Sequence, residues 1–311
     1  MTCTSAARPA RTPARTSRWT GRRRAALARW CAAAVATAPA VARAHHVPGQ
    51  SASEGVRNIN SLGGGAGQAR SRLLVLQEIG RSSARRTLNP GTVYTTSLLG
   101  EFAPHPWFSF GVQAPLLVVD EDAQDVATKV GYGDTRVLLR LSPHADKLIH
   151  RVLSVGVNLS FPTRTVRFEA DPGNIWIVAP SVLYSRTYRR AFWQAIGALT
   201  IEERPAGTAL DVTAGMQAGY RFFDVLSPTL GVLADVRAFT ACAEIGGGSS
   251  PCLDGRATEV DRETGSVRAY ALAGLAWTFA PWGSLLANAQ VPVTPRADFD
   301  VAGSVGLQFT F

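Results

Sequence analysis

Residues 298–311 read DFDVAGSVGLQFTF and alternate apolar with small or polar side chains as far as the terminal Phe311. One face of this segment carries Phe299, Val301, Val305, Leu307, Phe309 and Phe311. The opposite face carries Asp300, Ala302, Ser304, Gly306, Gln308 and Thr310. A period of two residues is that of a β-strand, whose successive side chains point to opposite faces. The segment therefore predicts an amphipathic strand that runs to the end of the chain.

The same period recurs upstream of this segment. Residues 208–222 place Val212 and Met216 on one face and Asp211 and Gln217 on the other. The pattern predicts strands at about 70–80, 91–102, 107–119, 130–142, 151–161, 174–187, 190–201, 208–222, 228–240, 266–279, 284–293 and 300–311. Residues 175–198 alternate poorly, which leaves the count of twelve open by two.

The length and the polar face of these strands separate a membrane barrel from a soluble sheet. Strands of about ten residues or more are long enough to cross a bilayer, whereas soluble strands average about five or six. Full charges occupy the polar face, at Arg136, Arg140, Asp211, Arg221, Asp235, Arg237 and Arg268. A water-filled lumen accepts such charges, and a dry core does not. The expected fold class is all-β, a transmembrane antiparallel β-barrel of about 12 strands.

The connections between the predicted strands support this fold. The connections alternate between two sets along the chain. Those of one set are mostly short, as expected for periplasmic turns, and those of the other are mostly longer, as expected for exterior loops. Aromatic residues gather beside the short turns and predict the periplasmic interfacial girdle, with Phe102, Trp107, Phe108, Tyr188, Trp193, Phe222, Phe223, Phe279 and Trp282. The expected location is the outer membrane of a Gram-negative cell.

The N-terminus has the regions of a secretory signal in the expected sequence, first basic, then apolar, then a cleavage site. Residues 1–44 hold nine Arg and no acidic residue, with an apolar Ala-rich run after Arg22-Arg23-Arg24. The small residues of Ala42-Arg43-Ala44 predict cleavage before His45. We therefore expect a signal peptide at 1–44, a flexible N-terminal segment at 45–69 and the barrel at 70–311.

Removal of this leader changes the charge and the cysteine content. The formal net charge of +9 falls to zero, because the remaining 23 basic residues balance 23 acidic ones. No net charge then supports nucleic-acid binding. Cys242 and Cys252 remain, and an oxidising periplasm favours a disulfide between them. Two free thiols or a metal pair are the alternatives.

The mature chain resembles a family of outer-membrane proteins identified as transporters linked to the meta pathway of phenol degradation. The resemblance rests on Gly131-Tyr132-Gly133-Asp134 opening a strand, on APLLV after PWFSFGV in the preceding strand, and on the terminal aromatic strand. It implies a barrel that passes small molecules, apolar or aromatic ones among them. The alternative for the GYGD motif is purely structural, with glycines for tight geometry and Asp134 hydrogen-bonded to backbone.

Metal binding and catalysis are weaker alternatives. His45 and His46 at the mature N-terminus could bind copper or zinc. Two exterior loops could hold divalent cations that bridge lipopolysaccharide, through Asp120, Glu121, Asp122 and Asp125 in one and Glu259, Asp261 and Glu263 in the other. An outer-membrane hydrolase would need a nucleophile and His near the exterior rim, and no His is predicted there. We expect no enzyme and no cofactor.

The expected function is an outer-membrane channel or transporter for small solutes. The seven lumen charges named above are its selectivity candidates, paired across neighbouring strands to set a transverse field. A non-conducting structural or adhesive barrel is the alternative.

The expected partners are outer-membrane lipid, lipopolysaccharide, a small-molecule solute and the barrel-assembly machinery, with no nucleic acid. Phe309 and Phe311 resemble the signal that this machinery reads. The last strand should pair with the first near Arg72, because closure removes both exposed edges of the sheet.

Overall fold

A computed structural model describes residues 69–82, 91–122, 127–145, 151–166, 175–204, 207–242, 264–294 and 299–311. Thirteen strands lie within these ranges: β1 (Arg72–Ser82), β2 (Gly91–His105), β3 (Phe108–Glu121), β4 (Lys129–Tyr132), β5 (Thr135–Ala145), β6 (Arg151–Phe161), β7 (Trp176–Tyr188), β8 (Ala191–Arg204), β9 (Gly207–Tyr220), β10 (Leu226–Cys242), β11 (Val267–Ala280), β12 (Gly283–Pro292) and β13 (Val301–Thr310). The predicted leader and nearly all of the predicted flexible segment lie outside the described residues.

The strands form one closed antiparallel sheet. Each strand pairs with its neighbours in sequence, except that β4 and β5 both pair with β3 and not with each other, and β1 pairs with both β2 and β13. Arg72 lies opposite Thr310 on one side and opposite Glu101 on the other. The predicted closure of the last strand on the first, near Arg72, is therefore confirmed. Closure leaves no free sheet edge in the membrane.

The barrel has twelve strand positions, because β4 and β5 share one of them. β4 pairs with Leu116–Val119 of β3, and β5 pairs with Phe108–Gln113 of the same strand. The backbone N–H of Gly133 donates to the carbonyl of Pro115 at the break, at 2.9 Å. The predicted count of twelve is confirmed, and the predicted strand at 130–142 is interrupted at Gly133 and Asp134.

The segment that follows β6 covers this break. Thr165 exchanges two hydrogen bonds with Tyr132, its N–H donating to the Tyr132 carbonyl at 2.9 Å and its hydroxyl accepting the Tyr132 N–H at 2.8 Å. The Arg164 N–H donates to Oδ1 of Asp134 at 3.1 Å. A Cβ at Gly131 would stand 2.5 Å from the Thr165 hydroxyl oxygen. The GYGD motif therefore has a structural role, since its glycine lets residues 162–166 lie close to β4.

The outer face of the barrel is apolar along the strands and aromatic at the periplasmic end. Exposed aromatic side chains near the turns include Phe102, Trp107, Tyr188, Trp193, Phe222, Phe223, Phe279 and Trp282. Several of them contact one another, such as Phe279 and Trp282 with ring centroids 5.9 Å apart. This is the predicted girdle, and it suits the boundary between hydrocarbon and headgroups. In the described part of the chain, no helix has the length and apolar character needed to cross a membrane.

One predicted side-chain orientation at the last strand is wrong. Phe299 was expected on the lipid-facing side, but it is fully buried and stacks on Tyr270 with ring centroids 5.2 Å apart. The last strand begins only at Val301, so Phe299 lies outside its alternation. A bulge between Arg237 and Phe239 changes the phase of β10, so that Ala238 and Phe239 are both exposed and Phe239 pairs with the outward-facing Leu210.

Candidate lumen charge networks

The first network lies in the half of the barrel nearer the exterior, on three adjacent strands. Arg237 of β10 is completely buried. It donates two hydrogen bonds to the Asp211 carboxylate of β9, from Nε at 2.7 Å and from Nη2 at 3.1 Å. Its Nη2 also lies 3.8 Å from a carboxylate oxygen of Glu202 on β8. The strand register brings these residues together. Arg237 lies directly opposite Asp211. On the other side of β9, Asp211 lies opposite Thr200, and Glu202 is the next residue of β8 that faces inward. A bidentate arginine pair of this kind fixes both position and orientation.

A second ion pair extends this network to β11. Arg268 Nη2 lies 3.8 Å from Oδ2 of Asp235, which is directly opposite it on β10. The other oxygen of Asp235 accepts a hydrogen bond from the Thr213 hydroxyl at 2.6 Å. The exterior network therefore contains three carboxylates, from Glu202, Asp211 and Asp235, and two guanidinium groups. These five groups together carry a formal charge of −1.

The second network lies nearer the periplasmic end, on β1, β2, β3 and β5. Arg72 Nε lies 2.6 Å from Oε2 of Glu101, and the Ser109 hydroxyl donates to Oε1 of Glu101 at 2.6 Å. Arg140 Nη1 lies 3.8 Å from the same Oε1. Glu101 thus stands between two arginines, all three nearly fully buried. These three groups together carry a formal charge of +1.

The structure brings together five of the seven predicted lumen charges within these two networks. Asp211, Asp235, Arg237 and Arg268 form the exterior network with pairing across neighbouring strands, as predicted, while Arg140 belongs to the periplasmic network. Arg136 also faces inward and is nearly fully buried.

Arg221 is placed differently from the prediction. It follows β9 in the periplasmic turn, where its N–H donates to the Arg190 carbonyl at 2.8 Å. It therefore lies at the opposite end of β9 from Asp211, because β9 ends one residue before it.

Glu202, Glu101 and Arg72 belong to the networks but were not among the predicted lumen charges. Glu202 lies one residue beyond the predicted strand at 190–201, and β8 in fact continues to Arg204. Glu101 is the one acidic residue in its strand, among the inward-facing Thr95, Ser97 and Leu99. A charge alternating in phase with small polar residues was the signal that could have identified it.

The lumen charges are paired rather than surrounded by water. The side chains of Arg237 and Asp235 have no exposed area, and those of Asp211 and Arg268 have 6% and 3%. These charges lie in ion pairs across neighbouring strands, the arrangement that the sequence predicts. Opposite charges on adjacent strands replace much of the lost hydration, which a lone buried charge could not do.

The remaining predicted site residues lie at the two ends of the barrel. Phe309 stacks on Trp282 with ring centroids 6.1 Å apart, and Phe311 is exposed at the periplasmic rim. The Phe311 N–H donates to the Ser71 carbonyl at 3.0 Å. These positions match the predicted girdle level, and the assembly signal stays a prediction. Cys252 and the side chain of Cys242 lie outside what the structure describes, so the disulfide also stays a prediction.

Two of the predicted exterior acids, Glu121 and Asp122, have basic partners. Asp122 accepts two hydrogen bonds from Arg81, at 2.7 and 2.6 Å, and Glu121 lies 3.0 Å from Lys129 Nζ. Within the described residues, no group of three His, Cys, Asp or Glu side chains is placed to hold a metal ion.

No family model and no curated protein matches this chain. Among solved structures, it is similar to the outer-membrane channel of Pseudomonas putida F1 with a TM-score of 0.58 at 11% identity, over 78% of this chain and 96% of that chain. The NanC porin gives a TM-score of 0.48 at 9% identity, over 77% of this chain and 100% of that chain. The translocator domain of NalP from Neisseria meningitidis gives 0.47 at 12% identity, over 82% and 92%.

The first of these similarities shows that the chain has an outer-membrane β-barrel fold. The apolar outer face and the aromatic girdle agree with it, because they match the two environments that such a barrel meets. The predicted location in the outer membrane is thereby confirmed.

Proposed function

We propose that this protein is an outer-membrane channel or transporter for small solutes, and that it is not an enzyme. The observation that carries the proposal is the pair of inward-facing ion networks inside a closed barrel. Buried charges are costly to maintain, and a barrel that served only as a scaffold could fill its interior with apolar side chains. Fixed charges along a lumen, in contrast, set which solutes enter and leave it.

The two networks give the proposed lumen an axial asymmetry. Three carboxylates, of Glu202, Asp211 and Asp235, lie together toward the exterior, and the guanidiniums of Arg72 and Arg140 flank Glu101 toward the periplasm. A charged solute therefore meets fixed charges of both signs along the lumen. Such an arrangement favours uncharged or dipolar solutes over simple ions of either sign.

The nature of the solute rests on the family resemblance of GYGD, APLLV and the terminal aromatic strand. That resemblance supports small apolar or aromatic molecules. The inward faces of several strands also carry leucines beside the charges, such as Leu74, Leu76, Leu99 and Leu138. An interior that is partly apolar agrees with such a solute.

Catalysis has less support than transport. The histidines within described strands, His105 and His144, lie near the periplasmic ends of β2 and β5. A hydrolase working on exterior lipid or protein would need its histidine near the other rim, beside a nucleophile.

Single-channel recording in planar bilayers tests the proposal. The protein extracted from outer membranes should give discrete conductance steps, and their absence would show a non-conducting structural or adhesive barrel. The Arg237→Ala/Arg268→Ala variant should change the conductance or the ion preference. Arg81→Ala is the matched control, because Arg81 forms an exposed ion pair at the exterior end of β1, with 47% of its side chain exposed. Equal behaviour of the double variant and the control would refute the filter assignment.

A further inference from the structure

The membrane-facing wall has a groove where the end of the chain meets its beginning. Its volume is about 610 Å³, and it lies midway along β1, β11, β12 and β13. Ala273, Ala289 and Gly303 are directly paired across three strands and form its floor. Larger side chains, Ile79 and Val305 among them, stand beside this floor. A volume of this size is within the roughly 300–1,000 Å³ range of small-molecule sites.

Two polar side chains lie on this otherwise apolar wall. Gln77 and Thr96 are exposed, face outward and are directly opposite each other on β1 and β2. Gln77 is the sixth of the eleven residues of β1, which places it near the middle of the bilayer. Among the described outward-facing residues at this depth, these are the two with polar side chains. Polar groups in contact with hydrocarbon are costly and mark functional positions.

The hydrogen bonds of this pair leave a donor beside the groove. The Thr96 hydroxyl donates to Oε1 of Gln77 at 2.6 Å, and Nε2 of Gln77 donates to the Glu78 carbonyl at 3.3 Å. A glutamine amide nitrogen carries two hydrogens. The second has no acceptor among the described residues, and Gln77 is itself part of the groove lining. Bilayer hydrocarbon offers no water to this hydrogen.

We propose that this groove binds a small apolar molecule that dissolves in the bilayer and carries one hydrogen-bond acceptor, which Gln77 Nε2 meets. The groove supplies apolar contact and the amide supplies one directional bond. This division is typical of small-molecule sites. The binding site is independent of conduction through the lumen, so either proposal can fail without the other.

The chemistry of the groove favours such a molecule over the two other occupants of a membrane wall. A lipid acyl chain has no acceptor at mid-depth, because its ester groups lie at the interface. A second copy related by a two-fold axis would place groove against groove, since such an interface uses the same patch on both subunits. Neither occupant does both things that the groove requires, which are to accept a hydrogen bond from Gln77 and to fill the space above Gly303.

Photolabelling with benzophenone tests the proposal, because this apolar aromatic ketone has one acceptor and inserts into nearby C–H bonds when irradiated. The full mature protein is placed in phosphatidylcholine nanodiscs, and adducts are located by mass spectrometry. We expect adducts concentrated on β11, β12 and β13 around Ala289. Gln77→Leu should lower their yield at subsaturating probe by about fivefold, the affinity ratio of one neutral hydrogen bond. Ala289→Phe should abolish them by filling the groove.

Leu230→Phe is the matched control, since Leu230 is a highly exposed wall residue on β10, outside the groove. It should leave the adduct yield in the groove unchanged. Adducts spread evenly around the barrel, or an unchanged yield in Gln77→Leu, would overturn the proposal. Protein-to-protein cross-links at the groove would identify a second copy as the occupant and would also overturn it. Gln77→Leu makes the wall more apolar, so loss of folding does not confound the result.

Discussion

Removal of the Asp211 carboxylate should destabilise the barrel strongly, because it strips a fully buried guanidinium of its bidentate partner. In the native structure Arg237 makes two hydrogen bonds to Asp211, at 2.7 and 3.1 Å. Breaking a buried ion pair by removing one partner costs about 3–5 kcal/mol. Glu202 remains 3.8 Å from Arg237 and offsets part of this loss. We therefore expect Asp211→Ala to lower the free energy of unfolding by about 3 kcal/mol, at the lower end of that range.

Urea unfolding in detergent micelles, followed by tryptophan fluorescence, measures this change. The chain contains seven tryptophans, and the midpoint and slope of the transition give the free energy of unfolding. Arg81→Ala provides the reference for an exposed ion pair, whose loss should cost under about 1 kcal/mol.

The double variant Asp211→Leu/Arg237→Met shows whether the loss of stability comes from losing the ion pair or from leaving one of its charges without this partner. Replacing both charges with apolar side chains should recover part of the stability, because the guanidinium and its bidentate partner are removed together while Glu202 loses its contact with Arg237. Two results would refute the reasoning. One is a cost of Asp211→Ala no larger than that of Arg81→Ala, and the other is a double variant less stable than Asp211→Ala alone.

Three further outcomes follow from the structure. Phe311→Asp should impair assembly far more than transport, seen as a loss of heat-modifiable folded protein in outer-membrane fractions while the folded remainder keeps wild-type conductance; normal assembly would contradict the signal role. Gly131→Val should lower the urea midpoint, because its Cβ would stand 2.5 Å from the Thr165 hydroxyl oxygen, whereas Gly100→Val, whose Cβ would meet no atom within 4 Å, is the control. Glu101→Gln removes the one acidic group between Arg72 and Arg140 and should shift the reversal potential in a salt gradient toward anions; an unchanged potential would argue against a periplasmic filter.

The environment of each strand could be predicted from local sequence, because alternation records which side chains meet lipid and which face inward. Residues 151–161 have the predicted bounds, and most other strands lie within a few residues of theirs. The girdle at Phe279 and Trp282 followed from the same logic, since aromatic residues beside short turns match one interface of the bilayer. Closure of the barrel followed from the need to remove sheet edges.

Pairing between the lumen charges needed the register, which is set by contacts distant in sequence. Arg72 and Glu101 lie 29 residues apart, and nothing in either strand alone identifies the other as its partner. The bulge after Arg237 changes which side chains of β10 face inward. The break at Gly133 depends on the approach of Thr165, more than thirty residues later.

The sequence by itself determined that this chain is an outer-membrane barrel of about twelve strands with charged side chains inside, because alternation of side chains recurs along the strands. The tertiary structure alone decided that the charges are paired and buried in two networks, one toward the exterior and one toward the periplasm. It also decided that Gln77 of the first strand lies beside Gly303 of the segment pairing with it. Strands from opposite ends of the chain meet only when the barrel closes, so neither the networks nor the groove exists in any local stretch of sequence.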